Sequence, residues 1–262
     1  MKYYMISDPH GFFAPTRAAL ERAGFFGEAE PHKLVVCGDL LDRGRGACEL
    51  IAFLKKLLEE ERLIYILGNH EDLFVQCLQE LSRGKLHEIA CGMSYHYTNG
   101  TWDTVLQLSG MTVRETMEDL DELLRRVRAS DFYRHLLPSA INYYETPHYV
   151  FCHGWIPVRI KGYGLGTEYY REENWRGASA CDWQKARWLN GMEMACERGL
   201  VEPEKTVVCG HWNTSYGHAK IEREGTEWGK DADFTPFRAP GIVAMDACTA
   251  ESNTVNCIVI ED

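Results

Sequence analysis

The sequence predicts an α/β fold, and two observations lead to that prediction. Short apolar runs rich in Val, Ile, Leu and Tyr recur along the chain, and stretches with helical periodicity lie between them. Strands that alternate with helices of this length are typical of α/β architectures. With 262 residues, of which 45% are hydrophobic, the chain is long enough to bury a sizeable core. We therefore expect one domain that spans residues 1–262.

Seven apolar runs have the length and composition of strands. They occupy residues 3–7, 33–38, 63–68, 148–152, 206–210, 241–246 and 256–260. After the second run, "ACELIAFLKKLLEEE" (47–61) places apolar residues at helical spacing, with Lys and Glu on the opposite face. Residues 113–137 are charged and helical. They belong to a helical cap, at about residues 85–140, that we expect to be inserted over the edge of the sheet.

Composition narrows the choice of partners and of compartment. The formal net charge of −11 argues against DNA or RNA binding, which requires a basic face, but it leaves room for a small phosphorylated substrate. The start "MKYYMISDPHG" lacks the apolar segment of a signal peptide, and no apolar stretch approaches transmembrane length, so we expect no membrane association. No CxxC occurs among the ten cysteines, and four of them lie within strand-like runs. This pattern predicts reduced thiols and a cytoplasmic protein.

A residue that suits metal binding or proton transfer follows five of the apolar runs directly. These residues lie in "DPHG" (8–11), "GDLLDRG" (38–44), "GNHE" (68–71), "HGW" (153–155) and "GHW" (210–212). Ligands of open α/β sheets bind beyond the carboxyl ends of the strands. Glycine at such a position lets the backbone turn sharply and approach a neighbour closely. We therefore expect the five loops to converge on one site.

The residue types in these loops suit a pair of divalent cations. Asp, His and Asn together favour Mn²⁺, Fe²⁺ or Zn²⁺ over Ca²⁺, which takes oxygen ligands only. In "GDLLDRG", Asp39 and Asp42 would repel each other, and a cation bound to Asp39 would remove that conflict. Two ions about 3.5–4 Å apart can hold both oxygens of an in-line phosphoryl displacement, while Arg43 binds a phosphate through two N–H groups. We predict two bound divalent ions. Mn²⁺ is the expected metal, ahead of Fe, Zn or Mg.

In order and in content, the five motifs resemble the signature of the calcineurin-like metallophosphoesterases. Within that family they are most similar to the PPP-type branch, which includes bacterial protein serine/threonine phosphatases and symmetrical diadenosine tetraphosphate hydrolases. The motifs run from residue 8 to residue 211 and so cover most of the chain. The resemblance implies a sandwich of two mixed β-sheets flanked by helices. It also implies a binuclear centre at the strand ends, with a metal-bound hydroxide as nucleophile.

The resemblance assigns a role to each motif. The implied metal ligands are Asp8 and His10 for the first ion, Asp39 as the bridge, and Asn69, His153 and His211 for the second ion. His70 would be the general acid that protonates the leaving oxygen, and Asp42 would orient its ring. Arg43 would bind the phosphate.

One position departs from the family pattern. Many metallophosphoesterases have a GHxH motif whose second histidine binds the first metal, whereas this chain has "GHWN", so that Asn213 takes that place. An amide oxygen is a weaker ligand than an imidazole, and we therefore expect a weaker first site. Members of the PPP-type branch commonly lack this histidine too, so hydrolysis is still expected.

Four further features each have two readings. Arg187 is either a second phosphate clamp or an arginine on a helix surface. Asn99, in "YTNGTWDT", either faces the substrate or belongs to an ordinary turn. His218 either supports the site or is a polar loop histidine. The aromatic-rich stretch 163–177, within the loop 159–180, is either a lid or a solvated loop.

The function predicted from these observations is metal-dependent phosphoester hydrolysis. The leading hypothesis is a PPP-like phosphomonoesterase that acts on phosphoserine or phosphothreonine in proteins. The alternative within enzymes is a dinucleoside polyphosphate hydrolase, which would need a pocket for two nucleosides built from residues 90–135 and 159–180. A third hypothesis is an inactive phosphate-sensing module. The intact set of His70, Asp42 and Arg43 argues against it, because a binding protein needs no proton donor.

Overall fold

The computed structural model describes residues 1–92, 94–162 and 167–262. Seven strands of the described structure lie in the first two thirds of the chain and the others follow. The strands are β1 (Lys2–Ile6), β2 (His32–Cys37), β3 (Leu63–Ile66), β4 (Tyr144–Glu145), β5 (Tyr149–Phe151), β6 (Val158–Lys161), β7 (Glu168–Arg171), β8 (Thr206–Cys209), β9 (Phe237–Ala239), β10 (Ile242–Ala244) and β11 (Cys257–Glu261).

Most of the helices lie between β1 and β4. The α-helices are α1 (Phe13–Ala23), α2 (Ala47–Glu59), α3 (Asn69–Ser82), α4 (Leu86–Ala90), α5 (Tyr95–Thr98), α6 (Thr101–Ser109), α7 (Val113–Glu118), α8 (Leu120–Ala129), α9 (Leu137–Ser139), α10 (Ala180–Ala186) and α11 (Thr249–Ser252). Short 3₁₀ segments occupy Phe25–Gly27 and Trp175–Gly177, and π-type turns occupy Phe132–Leu136, Glu193–Glu197 and Gly217–Glu222. Within the described ranges, no helix has the length and apolar character needed to cross a membrane.

Nine of the described strands form two mixed sheets. The first has the order β11-β1-β2-β3, in which β1, β2 and β3 are parallel and β11 is antiparallel to β1. The second has the order β4-β5-β8-β10-β9, with a parallel centre and an antiparallel strand at each edge. Strands β6 and β7 form a separate antiparallel hairpin. The predicted α/β class with two mixed sheets flanked by helices is confirmed, and all seven predicted strands are present.

The two sheets pack face to face, and helices cover their outer faces. Successive residues of β1 point to opposite faces of the first sheet. Met5 belongs to the core between the sheets, and Ile6 belongs to the core beneath the helices. From the second sheet, Phe151 and Val208 enter the same inter-sheet core. The central parallel strands are thus buried on both faces, which explains why they appear in the sequence as continuous apolar runs.

The helices between residues 86 and 139 pack on the outer side of the first sheet. Trp102 of α6 and Leu123 of α8 share a buried core with residues of α2 and α3. The chain then returns along the edge of β3, where the Ile141 amide donates to the Tyr65 carbonyl at 2.9 Å and the Leu67 amide donates to the Ile141 carbonyl at 2.9 Å. An edge strand is thereby covered. The division into one domain with an inserted cap stays a prediction.

Candidate metal centre

The carboxyl ends of the parallel strands of both sheets meet at one place, and the five polar motifs lie there. Three hydrogen bonds tie the loops together. The His153 Nδ1–H donates to the Cys37 carbonyl at 2.8 Å, the His211 amide donates to Asp8 Oδ2 at 3.0 Å, and the His10 amide donates to the Asp39 carbonyl at 3.0 Å. These bonds bring the loops after β1, β2, β5 and β8 into direct contact. The loop after β3 joins them through the His70 amide, which donates to Asp39 Oδ1 at 2.9 Å.

The backbone at this junction is strained. Left-handed φ values between 46° and 76° occur at six site residues: Asp8, His10, Asp39, Asp42, Arg43 and His211. Non-glycine residues adopt this region only when their surroundings compensate a cost of about 1–3 kcal/mol each, and such residues cluster at functional sites. Gly38 permits the close approach of the two sheets, because a Cβ there would lie 2.5 Å from His153 Nδ1 and 2.7 Å from the Gly68 Cα.

Asp39 lies at the centre of the site and faces ligand atoms on both sides. Its Oδ1 is 3.3 Å from His153 Nε2, and its Oδ2 is 3.8 Å from His10 Nε2. Potential ligand atoms within 4.8 Å of one another form two groups, one of His10, Asp39 and His70 and the other of Asp39, His153 and His211. Asp39 is common to both groups. This is the arrangement that a carboxylate bridging two cations requires.

Two atoms of the site are buried without a partner, which tests whether cations fit. Among the residues that the structure describes, Asp8 Oδ1 and His211 Nε2 have no hydrogen-bond partner. Leaving such atoms unpaired costs about 1–3 kcal/mol each. Burial and the neighbouring His153 lower the pKa of His211 to about 3, so its ring is neutral and keeps a free lone pair. An anionic oxygen and a neutral imidazole with free lone pairs are suitable ligands for a divalent cation.

Charge pairs dominate the rest of the centre. Burial would raise the pKa of Asp39, but His153, His70 and His10 outweigh it and hold that pKa well below its usual range. Burial opposes protonation of His153, yet the carboxylates of Asp39 and Asp8 raise its pKa to about 10. The pKa of Asp8 is raised well above its usual range by burial and by Asp246. The protein alone therefore stabilises the Asp39 carboxylate but leaves that of Asp8 poorly compensated, and a cation beside Asp8 would relieve it.

His70, a member of the first ligand group, also forms a buried unit with Asp42. The His70 Nδ1–H donates to Asp42 Oδ2 at 2.6 Å, which leaves Nε2 directed towards the centre, 3.7 Å from Asp39 Oδ2. Burial lowers the pKa of His70, but Asp39 and Asp42 together raise it above its ordinary value. The hydroxyls of Thr101 and Thr104 also donate to Asp42, at 2.8 Å and 2.6 Å. Helix α6 thereby fixes the carboxylate that holds the histidine.

Arg43 lies at the solvent side of the same unit. Its side chain is exposed, with one terminal nitrogen 3.0 Å from His10 Nε2 and the other 3.3 Å from His70 Nε2. Both terminal nitrogens are thus presented at the mouth of the centre, as a two-point contact to a phosphate requires. Gly100 lies against this loop, and a Cβ at that position would overlap the Arg43 backbone nitrogen.

The remaining predicted residues have other partners. Asn69 is in the centre, where its Oδ1 accepts from His153 Nε2 at 2.8 Å. The Asn213 amide nitrogen donates to Ser215 Oγ at 2.7 Å. Asn99 is half-buried and donates to the Tyr95 carbonyl at 2.9 Å. Metal binding by Asn213 and substrate binding by Asn99 stay predictions.

Arg187 is buried and already bonded. Its two terminal nitrogens donate to Asp72 Oδ2 and to Asn142 Oδ1, each at 2.6 Å, and only 5% of the residue is exposed. The reading of Arg187 as an arginine on a helix surface is therefore wrong. His218 is likewise not a loop residue, because it lies in the π-helical segment Gly217–Glu222. Its Nδ1 is 2.6 Å from Glu222 Oε2.

The aromatic-rich stretch lies only partly within the described structure. Residues 163–166 fall outside the described residues. Within the stretch, Glu168–Arg171 form β7, which pairs with β6, and Trp175–Gly177 form a 3₁₀ segment. Its role as a lid stays a prediction.

Two acidic residues of the site were missed by the sequence analysis. The Glu71 carboxylate accepts from the amides of Asp39, Leu40 and Gly68, at 3.0 Å, 2.9 Å and 2.6 Å. Asp246 lies two residues after the end of β10 and is buried, and burial raises its pKa to about 6. The signal for Asp246 was in the sequence, because the sixth predicted strand also ends in an acidic residue.

Comparisons of sequence and of structure relate this chain to known proteins. The sequence profile described as "Calcineurin-like phosphoesterase" matches residues 1–233. The "Bis(5'-nucleosyl)-tetraphosphatase PrpE [asymmetrical]" of Bacillus velezensis is 26% identical over 139 residues, which are 51% of each chain. The "Bis(5'-nucleosyl)-tetraphosphatase, symmetrical" of Proteus mirabilis is 33% identical over 85 residues, 32% of this chain and 30% of the relative.

The matched segment thus spans about half of the first relative and less than a third of the second. Among solved structures, a cold-active protein-tyrosine phosphatase of a psychrophilic Shewanella species aligns with a TM-score of 0.49 and 14% identity, over 100% of this chain and 75% of that chain.

Proposed function

This chain belongs to the calcineurin-like phosphoesterases and is a metal-dependent hydrolase, and from that premise we propose how its own residues act. Asp8 and His10 would hold one divalent ion, Asn69, His153 and His211 would hold a second, and Asp39 would bind both. When bound, two such ions polarise the phosphate and activate a water molecule. We expect Mn²⁺ at these sites and a cytoplasmic location. The observation that carries the proposal is the position of Asp39 in both ligand groups.

His70 would give its proton to the leaving oxygen. Its Nδ1–H donates a hydrogen bond to Asp42 Oδ2 at 2.6 Å, so a proton transferred to the substrate would come from Nε2. Asp39 and Asp42 outweigh burial and raise the pKa of His70, which favours the form of the ring that carries a proton on Nε2 as well. Arg43, whose two terminal nitrogens lie beside His10 and His70, would hold the phosphate in line with this donor.

Two substrate classes follow from different observations. The hydrogen-bonded pair of His70 and Asp42 can act as a general acid. It therefore favours phosphomonoesters with poor leaving groups, such as phosphoserine and phosphothreonine, because their leaving oxygen needs a proton. The names of the curated relatives favour nucleoside polyphosphates instead. Membership in a family of hydrolases argues against the third hypothesis, an inactive phosphate-sensing module.

The shared role of Asp39 is tested by Asp39→Asn. An amide binds cations less strongly than a carboxylate, and the change removes a charge common to both sites, so both ions should be lost together. Elemental analysis after equilibration with Mn²⁺ and gel filtration measures the ions held per chain. Asp103→Asn is the matched control, because Asp103 is exposed on α6. A variant that still holds two ions per chain, or loses only one, would show that Asp39 does not bridge them.

A further inference from the structure

The tryptophans of this protein divide into two groups by exposure. Four of the seven are at most 2% exposed and belong to the cores: Trp102, Trp155, Trp175 and Trp183. The other three are Trp188, which is 44% exposed, Trp212, which is 37% exposed, and Trp228, which is 55% exposed. A single exposed tryptophan needs no explanation. Two of these three, however, lie against the same residue of the metal centre.

Trp188 and Trp212 both contact the ring of His211. The ring centroids of Trp188 and His211 are 5.7 Å apart with an interplanar angle of 84°. The centroids of Trp212 and His211 are 5.9 Å apart at 67°. Edge-to-face packing of this kind holds the rings in place. We call Trp188 and Trp212 the indole pair.

The indole pair reaches this place from two separate parts of the chain. Trp188 follows the end of α10, whereas Trp212 follows β8 and is adjacent to His211 in sequence. Trp212 also packs against Tyr216, with the ring centroids 6.2 Å apart. Large aromatic groups that stay partly open beside a concentrated polar site are typical of ligand-binding surfaces.

We propose that the indole pair stacks the base of a nucleoside polyphosphate whose phosphates reach the metal centre. This proposal rests on the proposed function, because it assigns the substrate class of the same site. Every nucleobase has a flat π-face that an aromatic side chain can stack on. The polyphosphate chain supplies the negative charge that a cation centre attracts. The base supplies a flat surface that would cover the exposed faces of the indoles. A phosphoserine side chain offers no such surface.

The decisive comparison is ATP against inorganic tripolyphosphate, which carries the same chain of phosphates without the nucleoside. Stacking on an aromatic side chain contributes about 1–3 kcal/mol per base, which corresponds to roughly 5- to 150-fold in affinity. We expect Trp188→Ala and Trp212→Ala each to raise the KM for ATP relative to the KM for tripolyphosphate by a factor within this range, because any loss of support for His211 would affect both substrates alike. Trp228→Ala should change neither KM, because Trp228 is more exposed than the indole pair and has no ring contact to the centre among the described residues.

A binding measurement keeps the test independent of turnover. A non-hydrolysable ATP analogue should quench the tryptophan fluorescence of the wild-type protein and of the Trp228→Ala variant, and should bind each indole variant more weakly by the same factor as the KM. Trp188→Phe and Trp212→Phe should restore most of the affinity, because a phenyl ring still stacks. Circular dichroism and the melting temperature of each variant report whether it is folded.

Two outcomes overturn the proposal. Equal losses on ATP and tripolyphosphate would make the indole pair a structural support of His211. A strong preference of the wild-type protein for a phosphotyrosine peptide over ATP, lost in both variants, would assign the pair to a phenol ring instead of a base. Failure of the proposed function has a different signature, since the wild-type protein with Mn²⁺ would then hydrolyse neither ATP, tripolyphosphate nor phosphoserine. The fluorescence measurement would still decide the role of the indoles in that case.

Discussion

Replacing His70 by Asn removes the proposed proton donor with little change of volume. In the structure the ring is buried, its Nδ1–H donates to Asp42 at 2.6 Å, and its Nε2 lies 3.3 Å from a terminal nitrogen of Arg43. An Asn side chain is shorter than His and has no group that titrates near neutral pH. We expect the variant to fold and to bind metal, but to be unable to protonate a leaving oxygen.

The size of the effect depends on the leaving group. General acid catalysis contributes about 10²–10⁴-fold. Phosphoserine leaves as an alkoxide of high pKa and needs the whole of that contribution, whereas p-nitrophenolate is stable without a proton. His70→Asn should therefore lower kcat on a phosphoserine substrate by about 10²–10⁴-fold and on p-nitrophenyl phosphate by far less.

The assay is the ratio of kcat values for the two substrates, measured with Mn²⁺ for the wild type and the variant. His135→Asn is the control, because His135 is exposed on the helical segment and should leave the ratio unchanged. Metal content is measured on the same samples. An equal loss on both substrates, or a loss of metal, would show that His70 is a ligand or a structural residue and not the acid.

The remaining predictions concern support, affinity and pH. Thr104→Val removes one hydroxyl that donates to Asp42. Such a bond to a charged group is worth about 1.5–3 kcal/mol, so kcat on phosphoserine should fall roughly ten- to hundredfold. Thr104→Ser should restore kcat. Asn213→His should raise the amount of metal kept after dialysis, measured by elemental analysis, and a titration showing two equally tight sites in the wild type would contradict this. Glu145 accepts from Arg176 at 2.9 Å, and Arg176 together with Lys205 outweighs burial and lowers the Glu145 pKa to about 2. The stabilising effect of this carboxylate is complete above its ordinary pKa of 4.5 and is lost as the pH falls from there towards 2. The melting temperature of the wild type should therefore drop more steeply over that interval than that of Glu145→Gln.

Six of the seven strands that the sequence predicted are buried on both faces, and the exception is β11, in which Val259 is exposed. Residues of β1, β2, β3, β5, β8 and β10 line the cores on one side or the other, which makes them visible as apolar runs. The four strands that were missed lack this signal. β4 and β9 are edge strands of two and three residues. β6 and β7 are mostly exposed, so neither period nor composition distinguishes them from a loop.

The same reasoning explains which site residues could be predicted. Asp39 and His153 stand directly after recognisable strands, so their neighbourhood follows from the topology of parallel sheets. Thr101 and Thr104 reach Asp42 from 59 and 62 residues away. Their contact depends on how α6 packs on α2 and α3, and no local pattern encodes that packing. The indole pair belongs to the same class, because Trp188 reaches His211 only through the tertiary arrangement of α10.

Glu71 shows why the loops after β2 and β3 keep their strained shape. Its buried carboxylate accepts three backbone N–H groups, from Asp39 and Leu40 in one loop and from Gly68 in the other. Glu71→Ala would leave these donors without their acceptor, at about 1–3 kcal/mol each, and would also release the loops that carry Asp39 and Asn69.

We therefore expect Glu71→Ala to lower the melting temperature without metal and also to reduce the rise in melting temperature that saturating Mn²⁺ produces, because both ligand groups depend on these loops. Glu118→Ala, at an exposed glutamate of α7, controls for the loss of a carboxylate. Glu71→Gln keeps one acceptor oxygen and should fall between the two. If Glu71→Ala is destabilised yet gains as much from Mn²⁺ as the wild type, the carboxylate supports the fold alone and the ligands are positioned by other contacts.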